Sequence, residues 1–164
     1  MKGAIVFYSF SGNTKRACSF LQKQWAQRNV LVELIELKPN REVTAFLKQC
    51  VHAFLKKKPA LRKTLYDLSQ YHFVIFASPV WAFAIAPALR SYLERVEGLE
   101  QKLAACFLTF GSGTGSNRAL KELESILRGK KAQIAFSKNI SGYRTNNPAY
   151  LETNFKLLFE MLNP

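Results

Sequence analysis

The chain has 164 residues, with 24 Lys and Arg against 11 Asp and Glu, a formal net charge of +13. A hydrophobic share of 48% and an aromatic share of 13% exclude a disordered chain and supply enough apolar surface for a core without disulfide staples. The longest largely apolar stretch, residues 79–89, is too short to cross a bilayer and holds two prolines, so no spanning segment is expected.

Ala4 to Tyr8 is a short continuous apolar run, the pattern of a strand buried on both faces. No small-x-small cleavage site follows it, so residues 3–10 read as a strand and a loop and not as a signal core. From Asn13 to about Gln27 the period turns helical, with Ala17, Phe20, Leu21 and Trp25 near one face. Val30 to Leu37 is rich in branched aliphatic residues and predicts a second strand. Between Pro39 and Tyr71, helical spacing of Val43, Phe46, Leu47, Cys50, Val51, Phe54 and Leu55 predicts a helix with a cationic end at Lys56-Lys57-Lys58. His72 to Ala77, Leu103 to Phe110 and Ala132 to Phe136 predict strands three to five. Pro87 to Val96, Asn117 to Leu127 and Pro148 to Leu162 predict the helices that follow them.

Strands separated by helices require parallel crossovers, and five such units predict one α/β domain over residues 1–164. The sheet is then open and doubly wound, with helices on both faces. Ligands of such sheets sit outside the carboxyl ends of the strands, so the loops after strands one, three and four are the candidate site.

The first loop, Ser9-Phe10-Ser11-Gly12-Asn13-Thr14, alternates hydroxyls and an amide around one glycine. Hydroxyls and free main-chain amides at a helix N-terminus suit a phosphate dianion. The same residues also suit an ordinary capped strand-to-helix turn. Neither the nucleoside-triphosphate loop nor the dinucleotide fingerprint is present. In the second loop, Trp81 can lie flat against a planar ligand or serve as a core residue. In the third, Phe110-Gly111-Ser112-Gly113-Thr114-Gly115-Ser116 exposes backbone amides on alternating glycines, or is simply a flexible turn.

Taken together, Tyr-Ser-Phe-Ser-Gly-Asn-Thr at 8–14, Ser-Pro-Val-Trp at 78–81 and the glycine run at 111–115 resemble the three cofactor loops of flavodoxins and flavodoxin-like FMN proteins. The resemblance implies a sheet of strand order 2-1-3-4-5 and non-covalently bound FMN. It assigns the phosphate to the side chains of Ser9, Ser11, Asn13 and Thr14 and to backbone groups of Phe10, Gly12 and Lys15. It places the flavin ring against Ser78, Pro79, Val80, Trp81, Ala82 and Phe83, with Trp81 stacked on it. Gly111, Ser112, Gly113 and Thr114 would meet the pyrimidine edge.

Two features depart from flavodoxins that carry electrons. Residues 111–116 hold no aromatic to cover the outer flavin face, leaving it open or covered by Tyr143. The chain is also strongly basic, whereas such carriers are acidic. Lys15 and Arg16 are the cations nearest the first loop in sequence.

The resemblance implies a redox protein that transfers electrons through FMN. The alternative is an NAD(P)H-dependent FMN-containing reductase of quinones or similar small acceptors. Either way the cofactor carries the chemistry, and no catalytic side chain or metal site is expected. The expected partners are an acidic redox protein, or NAD(P)H and a small acceptor, with peripheral contact to anionic surfaces and no specific nucleic acid. His52 and His72 read as structural. Cys18, Cys50 and Cys106 are too scattered for a disulfide framework or zinc site and read as core residues of a reduced, cytoplasmic protein.

Overall fold

The computed structural model describes residues 1–41, 51–53 and 55–162. In chain order it contains β1 (Lys2–Phe7), α1 (Asn13–Ala26), β2 (Leu31–Glu36), β3 (Phe73–Trp81), β4 (Ala84–Ile85), α2 (Pro87–Arg95), β5 (Leu103–Phe110), α3 (Ser116–Gly129), β6 (Gln133–Ser141), a 3-10 turn (Gly142–Arg144) and α4 (Pro148–Met161). The main sheet runs β2-β1-β3-β5-β6, and all four pairings between these strands are parallel. Counting only the parallel strands, this is the expected order 2-1-3-4-5. Among the described residues no helix is long and apolar enough to cross a membrane.

The continuous apolar runs are explained by two cores, one on each face. Ala4, Val6 and Tyr8 point to one side, where α2 and α3 bring Leu89, Tyr92, Leu93, Leu123 and Leu127. Ile5 and Phe7 point to the other, where α1 and α4 bring Leu21, Trp25, Phe155 and Leu158. A strand with period two then needs apolar residues at every position, and β1 has them.

Three elements depart from the sequence expectations. Strand three does not end at Ala77: it runs on to Trp81 and turns back antiparallel into β4, pairing Val80 with Ile85 and Trp81 with Ala84. Pro79 is tolerated within the strand because the sheet continues opposite it only through Thr109 of β5. The fifth strand is longer than Ala132 to Phe136, because its outer half is a half-exposed polar edge that carries no apolar pattern. It also contains one extra residue, since Ala104 pairs with Ile134 but Ala105 with Phe136. Between β2 and β3, residues 51–53 are helical, with Ala53 buried, while Val51 and Leu55 are exposed. The expected face at Val43, Phe46, Leu47, Cys50 and Phe54 lies outside the described residues.

Helices α2 and α3 are locked by a buried ion pair. Arg90 is 5% exposed, and its guanidinium holds Glu122 through Nε (3.2 Å) and Nη2. The other Glu122 oxygen accepts the Ile85 N–H of the β3–β4 hairpin (3.3 Å). One carboxylate thus joins two helices and the hairpin at the carboxyl end of the sheet.

Candidate functional site

The first loop ends in a helix whose N-cap residue offers no capping side chain. Gly12 stands at the N-cap of α1 with φ 86°, a left-handed conformation that favours glycine. No acidic residue lies in the first turn. The N–H groups of residues 11 to 14 find no acceptor among the described residues. Helix α4 differs, since Asn147 caps it by accepting the Tyr150 N–H at 3.1 Å. Four unspent amides at the positive end of a helix form an anion cradle.

The side chains around the cradle divide into two groups. The Ser9 hydroxyl accepts the Lys15 N–H at 3.2 Å and keeps its own proton free, and Ser11 is exposed. Thr14 is turned inward instead: it is 1% exposed, and its Oγ1 lies 2.8 Å from the buried Thr109 Oγ1 of β5. Its hydroxyl therefore fastens α1 to β5 and does not face the loop mouth. Lys15 pairs with Glu36 at 2.9 Å, so its charge is offset at the end of β2. Arg16 folds back over the loop. Its Nη2 donates to Asn13 Oδ1, its Nε donates to Thr145 Oγ1 at 3.4 Å, and Nη1 lies 3.3 Å from where a Cβ on Gly12 would stand. The Asn13 amide in turn packs on Gly142, where a Cβ would come within 2.9 Å of it.

The second and third loops meet in a cleft of about 380 Å³ lined by Val80, Trp81, Ala82, Phe83, Gly111, Ser112, Thr114 and Tyr143. Ala82 and Phe83 form the two-residue turn between β3 and β4, with φ of 45° and 65°. Such turns favour Asn or Gly, and a left-handed non-glycine residue costs roughly 1–2 kcal/mol. The strain is held by packing. A Cβ on Gly115 would lie 1.9 Å from Phe83 Cδ1, so the Phe83 ring rests on bare backbone at the start of α3. At Gly111 and Gly113 a Cβ would only touch the neighbouring rings, 3.5 Å from Tyr143 Oη and 3.4 Å from Phe110 Cε2, so of the three glycines Gly115 alone is required by an aromatic neighbour.

Two expected ring contacts look different in place. Ser78 is fully buried, and its hydroxyl accepts the Ala86 N–H at 3.0 Å and donates to Pro79 O at 2.9 Å. It braces the hairpin. Trp81 borders the cleft but is only 4% exposed, wedged edge-on against Tyr8 (5.5 Å) and Phe10 (5.7 Å). Little of its face is open to a stacked ring. The exposed aromatics here are Phe10, Phe83 and Tyr143. Phe10 and the Asn13–Gly142 contact join the cradle to the cleft.

The cleft lining contains no carboxylate, imidazole or thiol. Burial pushes the Cys18 thiol well up, with Glu36 adding to it, and pushes Cys106 up to about 12, so neither is a nucleophile. His72 Nδ1 accepts the Lys2 N–H at 3.1 Å in a structural role. A concavity of about 540 Å³ along α4, lined by Arg28, Glu152, Lys156 and Glu160 among others, is roomier but is reached by none of the three loops.

Residues 6–141 match the sequence pattern of the NADPH-dependent FMN reductase family. The chain belongs to this family. No curated protein matches this family member in sequence. Among solved structures, a flavoprotein of Lactobacillus acidophilus NCFM in complex with FMN is 18% identical, with a TM-score of 0.72 over 90% of this chain and 98% of that one. An archaeal flavodoxin is 14% identical, with a TM-score of 0.63 over 98% and 96%. The two-electron reduced flavodoxin of Megasphaera elsdenii is 14% identical, with a TM-score of 0.61 over 94% and 97%. This reductase-family chain is therefore an FMN-binding flavoprotein of flavodoxin-like fold. Its donor set suits that cofactor: bare helix amides and a guanidinium for a phosphate, a cleft walled by backbone and aromatics for a planar ring.

The residues that sequence reasoning missed act through contacts distant in the chain. Thr109, Gly142 and Thr145 carry no local motif, and Arg16 stood out only as a charge.

Proposed function

We propose that this flavoprotein is an NAD(P)H-dependent oxidoreductase that passes electrons to a quinone or similar small acceptor. In this reading the phosphate of FMN rests on the amides of residues 11 to 14, the hydroxyls of Ser9 and Ser11, and the Arg16 guanidinium. The ring lies in the cleft between residues 80–83 and 111–114, beside Phe83 and Tyr143. FMN supplies the redox chemistry, and the protein binds and orients it. The observation that carries the reading is the open cleft. Tyr143 is 77% exposed and Phe83 43%, so both aromatics flank the site without closing it, as a second ring stacking on the flavin requires. The family match supports NADPH as the electron donor. Free Cys18 and Cys106 support a reducing, cytoplasmic setting.

The net charge of +13 favours a second reading, an electron carrier docking on an acidic protein. The two separate on one experiment. Anaerobic NADPH added to the FMN-loaded protein should bleach its visible band, and a quinone should restore it. A band that persists until a second reductase is added supports the carrier.

A further inference from the structure

The β3–β4 hairpin has a second side. Beyond its tip lies a small hollow of about 220 Å³ lined by Lys56, Ala82, Phe83, Ala84, Arg118 and Glu122. It shares Ala82 and Phe83 with the flavin cleft, so the two are neighbours across one strained turn. Glu122 contributes no free charge, because its oxygens are taken by Arg90 and the Ile85 N–H. Lys56 and Arg118 make no ion pair among the described residues, whereas nearby Lys58 is paired with Glu94. Two uncompensated cations therefore line one hollow beside the ring cleft.

Both cations follow main-chain hydrogen bonds of a helical turn. Lys56 closes a helical turn in the left-handed conformation (φ 50°), with its N–H on Ala53 O at 3.0 Å. Arg118 lies in the first turn of α3, with its N–H on Gly115 O at 3.1 Å. Arg118 is thus tied to the glycine on which Phe83 rests. The hollow is smaller than the roughly 300 Å³ or more of a site for a whole small-molecule ligand, so it suits one group of a larger ligand. Guanidinium and ammonium groups together recognise a phosphate: the first by paired hydrogen bonds, the second as a point charge.

We propose that Lys56 and Arg118 receive a phosphate group of the nicotinamide dinucleotide whose reactive ring enters the flavin cleft over Phe83. This rests on the reductase reading for the identity of the ligand. The 2′-phosphate and the diphosphate bridge share the required chemistry, and the test separates them.

The FMN-loaded protein is titrated calorimetrically with 2′-AMP and with 5′-ADP, for the native chain and for Lys56→Gln, Arg118→Gln and the double variant. Each single substitution is expected to weaken one of these ligands about tenfold or more, the loss of a charge-assisted contact. Loss confined to 2′-AMP, with a KM for NADPH that rises while that for NADH holds, assigns the 2′-phosphate. Loss confined to 5′-ADP, with both KM values rising, assigns the diphosphate. FMN affinity and the thermal midpoint should stay unchanged, which shows that the fold and the cradle are intact. The proposal is overturned if neither ligand binds the native protein, or if both bind the double variant as they bind the native one. If NADPH bleaches the flavin equally in all four proteins, the reductase reading stands and this one falls. Binding that needs both cations, in a protein that NADPH does not bleach, retains the phosphate site and rejects the reductase.

Discussion

The hydroxyl pair Thr14–Thr109 offers a clean perturbation of the loop proposed above to hold the phosphate. Both residues are buried, at 1% and 3% exposure, and their oxygens are 2.8 Å apart. Thr14→Val leaves the Thr109 hydroxyl without a partner in a place water does not reach. An unsatisfied buried hydroxyl costs about 1–3 kcal/mol. Thr109→Val should cost the same for the same reason. Replacing both removes the orphan, so the double variant should be more stable than the sum of the singles predicts, by about 1 kcal/mol or more. Urea unfolding of the FMN-free protein reads this directly. With a slope near 2 kcal/mol/M, a loss of 2 kcal/mol moves the midpoint by about 1 M. Because the Thr14 hydroxyl faces inward, Thr14→Val should change the affinities for FMN and riboflavin by similar factors. A variant of native stability that loses FMN tenfold and keeps riboflavin would refute this account and make Thr14 a phosphate ligand.

Three further outcomes are expected. Gly115→Ala puts a Cβ 1.9 Å from Phe83 Cδ1 at φ 74°, so backbone strain of roughly 1–2 kcal/mol adds to displacement of the ring; differential scanning calorimetry should show a lower midpoint, and FMN should bind more weakly. Glu122→Gln leaves the Arg90 charge buried without its partner and should cost about 3–5 kcal/mol in chemical unfolding, much of it recovered in Arg90→Met/Glu122→Leu; a single variant of native stability contradicts the pairing. Burial, with a smaller push from Glu124, holds the Cys106 thiol protonated up to about 12 against 9.0 in the unfolded chain, so its contribution is complete below pH 9 and lost as pH rises towards 12, by about 1.4 kcal/mol per pH unit. Cys106→Ala should flatten that alkaline limb of the stability profile, and an unchanged limb would contradict the burial argument.

The five parallel strands were legible because short apolar runs such as Ala4 to Tyr8 and His72 to Ala77 alternate with helical segments, whereas their order came only from the resemblance to flavodoxins. The three loops were legible for a related reason: ligand loops follow strand ends, and strand ends can be counted. The hairpin at Trp81 was not, since Ala82-Phe83 violates the usual chemistry of a two-residue turn and only tertiary packing on Gly115 holds it. The roles of Thr14, Ser78 and Trp81 depended on which way each side chain turns. That is decided by Thr109, Ala86, Tyr8 and Phe10, and local sequence around the three residues does not contain it. The glycine run reads in sequence as exposed amides, and the structure adds a steric reason at Gly115 alone, where a Cβ would collide with Phe83.

The bare start of α1 has a consequence for the life of the protein. Asn147 finishes its own helix, but the first amides of α1 are left for a visitor to finish, and in the function proposed above that visitor is the phosphate of FMN. Supply of the cofactor then becomes a term in the stability of the chain: at a hundredfold excess over the dissociation constant it adds about 2.7 kcal/mol. A cell short of FMN would hold not an idle pool of empty protein but a shrinking one, with the open first turn of α1 offered to proteases. Turnover of the polypeptide would track flavin status without any dedicated sensor.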